Sequence, residues 1–249
     1  MSAFVRKLNT LVKDLLLGSR IGLLVRPLSG ALRFGANFGY LADWIRTRGR
    51  EAAFSDFFTL QRDYPKRVKL HEFVADRFQL DTQKIHYLEF GVASATSFKW
   101  WLARNENEAS SFFGFDTFEG LPEAWGTYDK GAMSFGLPDI TDPRAHFYKG
   151  LFQDTLHSFL QTYQQDPTAL RVIHLDADLY SSTLFALTML APYLQPGDLL
   201  FFDEFNVPNH EFAAWEAFIK SFYFEYEVIG GVNNFYQTCF RLTRTLTRN

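Results

Sequence analysis

The sequence predicts an α/β fold: a Rossmann-like, doubly wound and mostly parallel sheet behind an N-terminal helical extension. Three observations predict it. From residue 84 onward, short apolar runs alternate with stretches of helical periodicity. Several of those runs end in a carboxylate. The last two runs have only the short "GVNNFY" turn between them. Strands alternating with helices are βαβ units and give parallel pairing, whereas a short connection joins antiparallel neighbours.

Residues 2–17, "SAFVRKLNTLVKDLLL", place Phe4, Leu8, Leu11, Val12 and Leu15 at helical spacing, with Arg6, Lys7, Lys13 and Asp14 on other faces. This is an amphipathic helix. It suits docking on the domain or on a dimer mate, or a membrane surface. Residues 27–60 hold one or two more helices, punctuated by Pro27, Gly30, Gly35 and Gly39, and Pro65 makes a turn before a further helix. The extension is therefore expected over 1–60 and the main domain over 61–249. In that domain "KIHYLEF" is a strand, "SFKWWLARN" a helix, and "SFFGFD" and "AHFYK" strands. "QDTLHSFLQTYQQ" is a helix and "LRVIHL" a strand. "SSTLFALTMLAPYL" is a helix capped by Ser181 or Ser182. "LLFF" is a strand after a Pro-Gly turn, and "EFAAWEAFIKSF" a helix. "FEYEVIG" and "QTCFRLTR" form the closing pair at the sheet edge.

Composition narrows the function. With 249 residues, 47% hydrophobic and 21% charged, the chain can bury a large core. A single cysteine, Cys239, forbids an intrachain disulfide, suits a reducing cytoplasmic setting and excludes Cys/His zinc sites. In a C-terminal strand it reads as core filler. Residues 1–50 carry nine Lys/Arg and two Asp/Glu, a balance of +7, while the rest carry 16 and 26, a balance of −10. The body has no basic stripe for nucleic acid. Charges at Lys13, Asp14, Arg20 and Arg26 break the N-terminal apolar stretches well short of the about 20 residues a membrane span needs, and they argue equally against a secretory signal.

The carboxylates carry the chemistry. In an open α/β sheet, ligands bind beyond the carboxyl ends of the strands. Glu89 ends the first strand, Asp116 the second, Asp176 the fourth, and Asp203 with Glu204 the fifth. Such a rim is costly unless something cationic or hydroxyl-rich compensates it. Two ligands fit together: a nucleoside whose ribose hydroxyls donate to an acid, and a hard divalent metal held by oxygens. "EFGVASATS" supplies Gly91 directly after the strand, where backbone can approach a ligand, and Ser94, Thr96 and Ser97 are placed to cap the next helix. Asp116 is placed to accept from ribose hydroxyls. Asp176, Asp203 and Glu204 are placed to supply oxygens to Mg²⁺. Asp178 suits a helix cap or a ligand's ammonium group.

The blocks "LEFGVASATS", "GFDTFEGLPE", "KGLFQDTL", "LDADLYSST" and "FFDEF" resemble the macrocin O-methyltransferase family of class I S-adenosylmethionine-dependent methyltransferases, over roughly residues 84–242. The resemblance implies a seven-stranded sheet with an antiparallel last strand. It implies cofactor contacts from Glu89, Phe90, Gly91, Ser94, Thr96, Ser97, Asp116, Thr117, Gly150, Phe152 and Asp178, and Mg²⁺ on Asp176, Asp203 and Glu204. It also implies a sugar or similar polyhydroxylated acceptor, of the kind found in natural products and surface glycans. The chain departs from the family pattern at Ser94 and Ala95, where two glycines are common, and at Glu204, where an aspartate is common.

The implied reaction is direct displacement at the sulfonium methyl, governed by positioning and charge stabilisation. Asp176 and His210 are the candidate general bases, although His210 also reads as an exposed loop residue. His174, inside a strand, reads as a core histidine. The segment after the second strand, "PEAWGTYDKGAMSFGLPDITDP", is long enough to serve as a lid, and Trp125, Tyr128 and Phe135 are candidates to shape the acceptor pocket. Two rival readings stay open: a metal-dependent glycosyltransferase using "DAD", and a non-catalytic cofactor-binding module. A homo-oligomer and a peripheral membrane contact through the basic N-terminal helix are both compatible with the pattern.

Overall fold

The computed structural model describes residues 3–123 and 127–246. The chain divides into two compact units, Met1–Tyr40 and Leu41–Asn249. The boundary expected from sequence at 60/61 thus falls 20 residues later than the division in space. The N-terminal unit is helical, with α1 at Ala3–Gly18, α2 at Ile21–Val25, a 3-10 turn at Arg26–Leu28, and the first part of α3, Ser29–Thr47.

In the second unit the helices are α4 (Lys66–Phe78), α5 (Thr96–Arg104), α6 (Phe152–Thr162), α7 (Tyr180–Leu190) and α8 (Glu211–Phe222). The strands are β1 (Phe54–Ser55), β2 (Ile85–Phe90), β3 (Ser111–Asp116), β4 (Ala145–Lys149), β5 (Leu170–Leu175), β6 (Leu199–Phe202), β7 (Glu225–Val232) and β8 (Gln237–Arg244). They form one sheet in the order β1-β7-β8-β6-β5-β2-β3-β4. All pairings are parallel except those of β8, which runs antiparallel to both β6 and β7. The seven strands read from sequence are all present. The eighth, β1, is two residues long, too short for any periodicity to show, and it pairs with β7. The edge expected at the closing pair is therefore covered.

Both sheet faces are buried, and the period of two along each strand sorts side chains between two cores. Leu88, Phe90, Ile173, Leu175, Leu200 and Phe202 pack with α6, α7 and α8. Ile85, Tyr87, Val172, Leu199 and Phe201 pack with α4 and α5. Cys239 is buried in the second core, as a filler should be. The end of α3 also belongs to this unit. Trp44 is 5% exposed. Its ring lies 4.8 Å from Phe205, 5.4 Å from Phe235 and 5.8 Å from Phe240, and its Nε1 donates to Tyr226 Oη at 2.8 Å.

Two expected caps are absent. α5 begins after Ala95 and α7 after Leu179, neither with a side-chain cap. Ser94 Oγ instead meets Thr96 Oγ1 at 2.9 Å. Ala95 (φ 59°) and Ala93 (φ 46°) are left-handed, so this turn adopts the backbone that glycines would favour, without them.

Trp44→Ala is expected to cost about 3–5 kcal/mol of stability, because it empties the centre of an aromatic cluster. Chemical denaturation checks this. A loss within a few tenths of a kcal/mol would place Trp44 outside the core.

Candidate active site

Strand register sets the site. Gly91 N–H donates to Phe115 O, Asp176 N–H to Phe90 O, and Asp203 N–H to Leu175 O. The residues that follow β2, β5 and β6 thus leave the sheet side by side. Gly91 is forced by this closeness. Its φ is +91°, and a Cβ there would lie 1.8 Å from the carbonyl oxygen of Asp176. The glycine expected to admit a ligand is therefore required first by the neighbouring strand.

Period two places Glu89, Asp176 and Asp203 on the α4 face of the sheet. Glu89 is 1% exposed and Asp203 0%. Burial pushes the Glu89 carboxyl up to about 8, against the pull of its Tyr87 hydrogen bond and of Arg67. Burial also raises Asp176 well above the carboxylate range, and Asp203 and Asp178 add to it. Asp203 is raised by burial as well, while Arg67 and Tyr64 hold it back.

The compensating groups come from a stretch the sequence reading passed over. Tyr64 precedes α4 and Arg67 lies in its first turn. Tyr64 Oη donates to Asp203 Oδ2, and Arg67 Nη1 approaches the same oxygen at 3.4 Å and Tyr64 Oη at 3.0 Å. Arg67 is the cation that acts on Asp203, Asp176 and Glu89 together. Nothing in "DYPKRVKL" distinguishes Arg67 from the other basic residues of a solvated helix start. Its role depends on where α4 crosses the strand ends. His174 also sits on this face, fully buried, with Nδ1 at 3.0 Å from Tyr87 Oη. It is the core histidine expected, held neutral by burial and then by neighbouring His71 and Arg67.

A second acid group sits beside the first. Ligand atoms of Asp176, Asp178 and Glu204 all lie within 4.8 Å of one another, and so do those of His174, Asp176 and Asp203. Asp176 is common to both sets, whereas Asp203 and Glu204 fall in different ones. Asp178, expected at a helix cap or an ammonium group, joins Glu204 instead, and its carboxyl is pushed up to about 7 by burial and then by Asp203. Its left-handed backbone, φ 56°, turns it back over the strand ends. Glu211, the first residue of α8, is fully buried and accepts the Glu204 N–H at 3.0 Å. In sequence it reads as an ordinary acid at a helix start. Tyr236 Oη donates to Glu204 Oε1 at 3.2 Å.

A hard cation fits this second set. Its donors are all carboxylate oxygens, as Mg²⁺ prefers. Glu204 Oε2 and Glu211 Oε1 are buried with no hydrogen-bond partner. A buried acid without a partner is costly, and a cation offsets that cost.

A cleft of about 690 Å³ opens over these strand ends. Glu89, Gly91, Ser94, Thr96, Ser97, Asp116 and Thr117 line it at the β2 and β3 ends. Gly150 and Phe152 line it after β4, and Asp176, Asp178 and Glu204 at the β5 and β6 ends. Phe90 turns the other way, fully buried in the α6–α8 core, where it stacks on Phe115 at 4.9 Å; it backs the cleft and does not line it. Asp116 works within the protein. Its Oδ2 accepts the N–H groups of Val92 (2.8 Å) and Ala93 (2.9 Å), and its Oδ1 accepts that of Phe118 (2.6 Å). It fixes the turn after β2 and keeps acceptor capacity on Oδ1. Tyr128 and Phe135 line the cleft from the long loop. Trp125 lies outside the described residues. His210 sits at the N-cap of α8, where its N–H closes a turn onto Val207 O at 3.1 Å, and it is not among the residues lining the cleft. Glu211, its neighbour, is the residue that faces the acids.

Residues 129–229 match the macrocin O-methyltransferase (TylF) family model. Over that segment, which is less than half of its length, the chain is similar to this O-methyltransferase family. The matched segment runs from the long loop through the strand ends that bear Asp176, Asp178, Asp203 and Glu204. A search of curated proteins finds no significant match. Among solved structures, CalS11, a calicheamicin methyltransferase, superposes with a TM-score of 0.54 at 18% identity, covering 83% of this chain and 91% of that one. The O-methyltransferase NovP gives 0.52 at 19%, covering 72% and 80%. The apo form of CalS11, described as a TDP-rhamnose 3'-O-methyltransferase, gives 0.51 at 20%, covering 83% and 93%. These likenesses show that the chain shares its fold with these methyltransferases.

Arg67→Gln removes the cation that faces Asp203, Asp176 and Glu89. The expected cost is about 3–5 kcal/mol, and it grows with pH. The sign follows from the raised carboxyls: the unfolded chain releases the Glu89 proton near pH 4.5 and the folded chain near pH 8, so stability falls as pH rises between those values. Urea midpoints measured at both ends of the window should diverge from wild type most at the alkaline end. Equal losses at both ends would refute this electrostatic role.

Proposed function

We propose that the chain methylates a hydroxyl of a sugar or other small polyhydroxylated acceptor, with Mg²⁺ held by Asp176, Asp178 and Glu204. The observation that carries this reading is a single cleft lined by the glycine turn and Asp116 on one side and by the acid set on the other. The described activity of CalS11 on TDP-rhamnose supports the sugar acceptor, and the partnerless buried carboxylate oxygens support the cation.

When bound, S-adenosylmethionine supplies an electrophilic methyl group on sulfur, and a divalent cation supplies concentrated positive charge beside the acceptor oxygen. The protein contributes position and electrostatics. Asp116 holds the Val92–Ala93 turn and offers Oδ1 to a ribose hydroxyl. Gly150, Leu151 and Phe152 present an apolar rim that suits a flat base. Glu89 faces the cleft as an acceptor for donor groups of the cofactor. Tyr128, Met133 and Phe135 flank the opening and exclude water from it. Of the two candidate bases, Asp176 lines the cleft and His210 does not. Asp203 keeps Arg67 and Tyr64 oriented and is one side chain away from the cation set, through Asp176.

Radiolabelled methyl transfer to a panel of free and nucleotide-linked sugars tests the acceptor. Transfer to phenolic acceptors, with none to any sugar, would overturn that part. Calorimetry with S-adenosylhomocysteine on Glu204→Gln tests the site. Cofactor affinity is expected within about threefold of wild type, and the rise in melting temperature caused by Mg²⁺ is expected to disappear. An unchanged Mg²⁺ response places the ion elsewhere.

The Mg²⁺ response should also grow with pH. Asp178 titrates near 7 and Asp176 and Glu204 are raised too, and the ion binds ionised carboxylates. Melting shifts at about pH 5 should be small, and those at about pH 8 large. A flat pH profile argues against carboxylate ligation.

A further inference from the structure

We propose that residues 3–40 form an interfacial arm that binds the surface of an anionic bilayer. Every residue from 4 to 40 is exposed except Asn37, which is intermediate. Among them are large apolar side chains that a water-facing surface does not ordinarily gather: Phe4 at 75%, Leu11 at 57% and Leu15 at 63% exposure. Exposed apolar side chains gathered in this way mark a surface that something covers.

The pattern specifies the cover. On α1, Phe4, Leu8, Leu11 and Leu15 lie along one stripe, and Arg6 and Lys13 lie on the opposite side. Residues 1–40 carry six Lys/Arg, at 6, 7, 13, 20, 26 and 33, against one acid, Asp14. The six cations are all exposed. The rest of the chain, with 19 Lys/Arg and 27 Asp/Glu, is acidic. The cationic excess is thus concentrated in the segment that also exposes the apolar stripe. An anionic lipid surface satisfies both features at once, since acyl chains take the stripe and headgroups the cations. A second copy of the segment would cover the stripe but bring a net charge of +5 against +5.

The segment suits lying on a bilayer better than crossing one. No single helix among the described residues is long and apolar enough to span, and the pair Phe4–Gly18 and Ile21–Glu51 is bent by 71° at its break. α1, at 16 residues, reaches about 24 Å, against a hydrocarbon core of about 30 Å. Arg20 and Arg26 sit where a span would have to be apolar.

The test is vesicle flotation of the full-length protein. Binding to phosphatidylcholine vesicles containing phosphatidylglycerol should exceed binding to phosphatidylcholine alone by at least about tenfold and should weaken at high salt. The double substitution Leu11→Asp, Leu15→Asp should lower binding to the neutral-vesicle level. The charge variant Arg6→Glu, Lys13→Glu should abolish the preference for anionic lipid. All four positions lie outside the sheet unit, so the unfolding midpoint and S-adenosylhomocysteine affinity should stay at wild-type values. Absence of flotation overturns the proposal. So does flotation that the aspartates leave unchanged, and so does an oligomer that the aspartates dissociate while vesicles stay unbound. Because the readout is lipid binding, it succeeds or fails independently of the methyl acceptor.

Discussion

Everything at the active site follows from placing several carboxylates at the ends of adjacent parallel strands, where water cannot fully reach them. The register is fixed by ordinary backbone hydrogen bonds from Gly91, Asp176 and Asp203 to neighbouring strands. Side-chain alternation then puts Glu89, Asp176 and Asp203 on one face. Burial pushes each of them toward its neutral form. A buried acid is destabilising unless a cation, a donor or a proton answers it. The site resolves that demand differently at its two halves.

At the first half the protein answers its own charge. Arg67 and Tyr64 come from the start of α4 and reach Asp203, and Tyr87 donates to Glu89 at 2.7 Å. At the second half, no cation among the described residues answers Asp178, Glu204 or Glu211. Asp178, Glu204 and Glu211 face one another; Tyr236 donates to Glu204, and the Glu204 amide donates to Glu211. The division gives the two halves different chemistry: one is met by the protein's own Arg67, Tyr64 and Tyr87, although Asp203 Oδ1 is left without a partner, and the other suits a hard cation. The same economy holds at the cofactor side. Asp116 spends three acceptor positions on the turns around it, so the turn after β2 is shaped before any ligand binds, which lowers the ordering cost of binding.

The chain's charge is distributed with the same consequence. The sheet unit is acidic, which suits a cation at its rim, and the positive excess is carried by the first forty residues. The apolar stripe of α1 and that excess coincide, so the features that set this segment apart are electrostatic and hydrophobic together.

The sequence alone determined the elements that depend on local pattern. Seven strands, the βαβ order, the antiparallel closing pair and the buried Cys239 were legible because hydrophobic period and short turns are local properties. The acids at the strand ends were legible for the same reason: each terminates its own apolar run. Only the tertiary structure decided which groups meet. It joined Asp178 to Glu204, paired Asp203 with Arg67, brought Glu211 into the cluster and left His210 away from the cleft. It also drew Leu41 and Trp44 into the sheet unit and added a two-residue strand too short to carry a period. These are matters of helix placement and strand register, in which residues tens or hundreds of positions apart become neighbours, and no spacing along the chain encodes the direction in which a side chain will face.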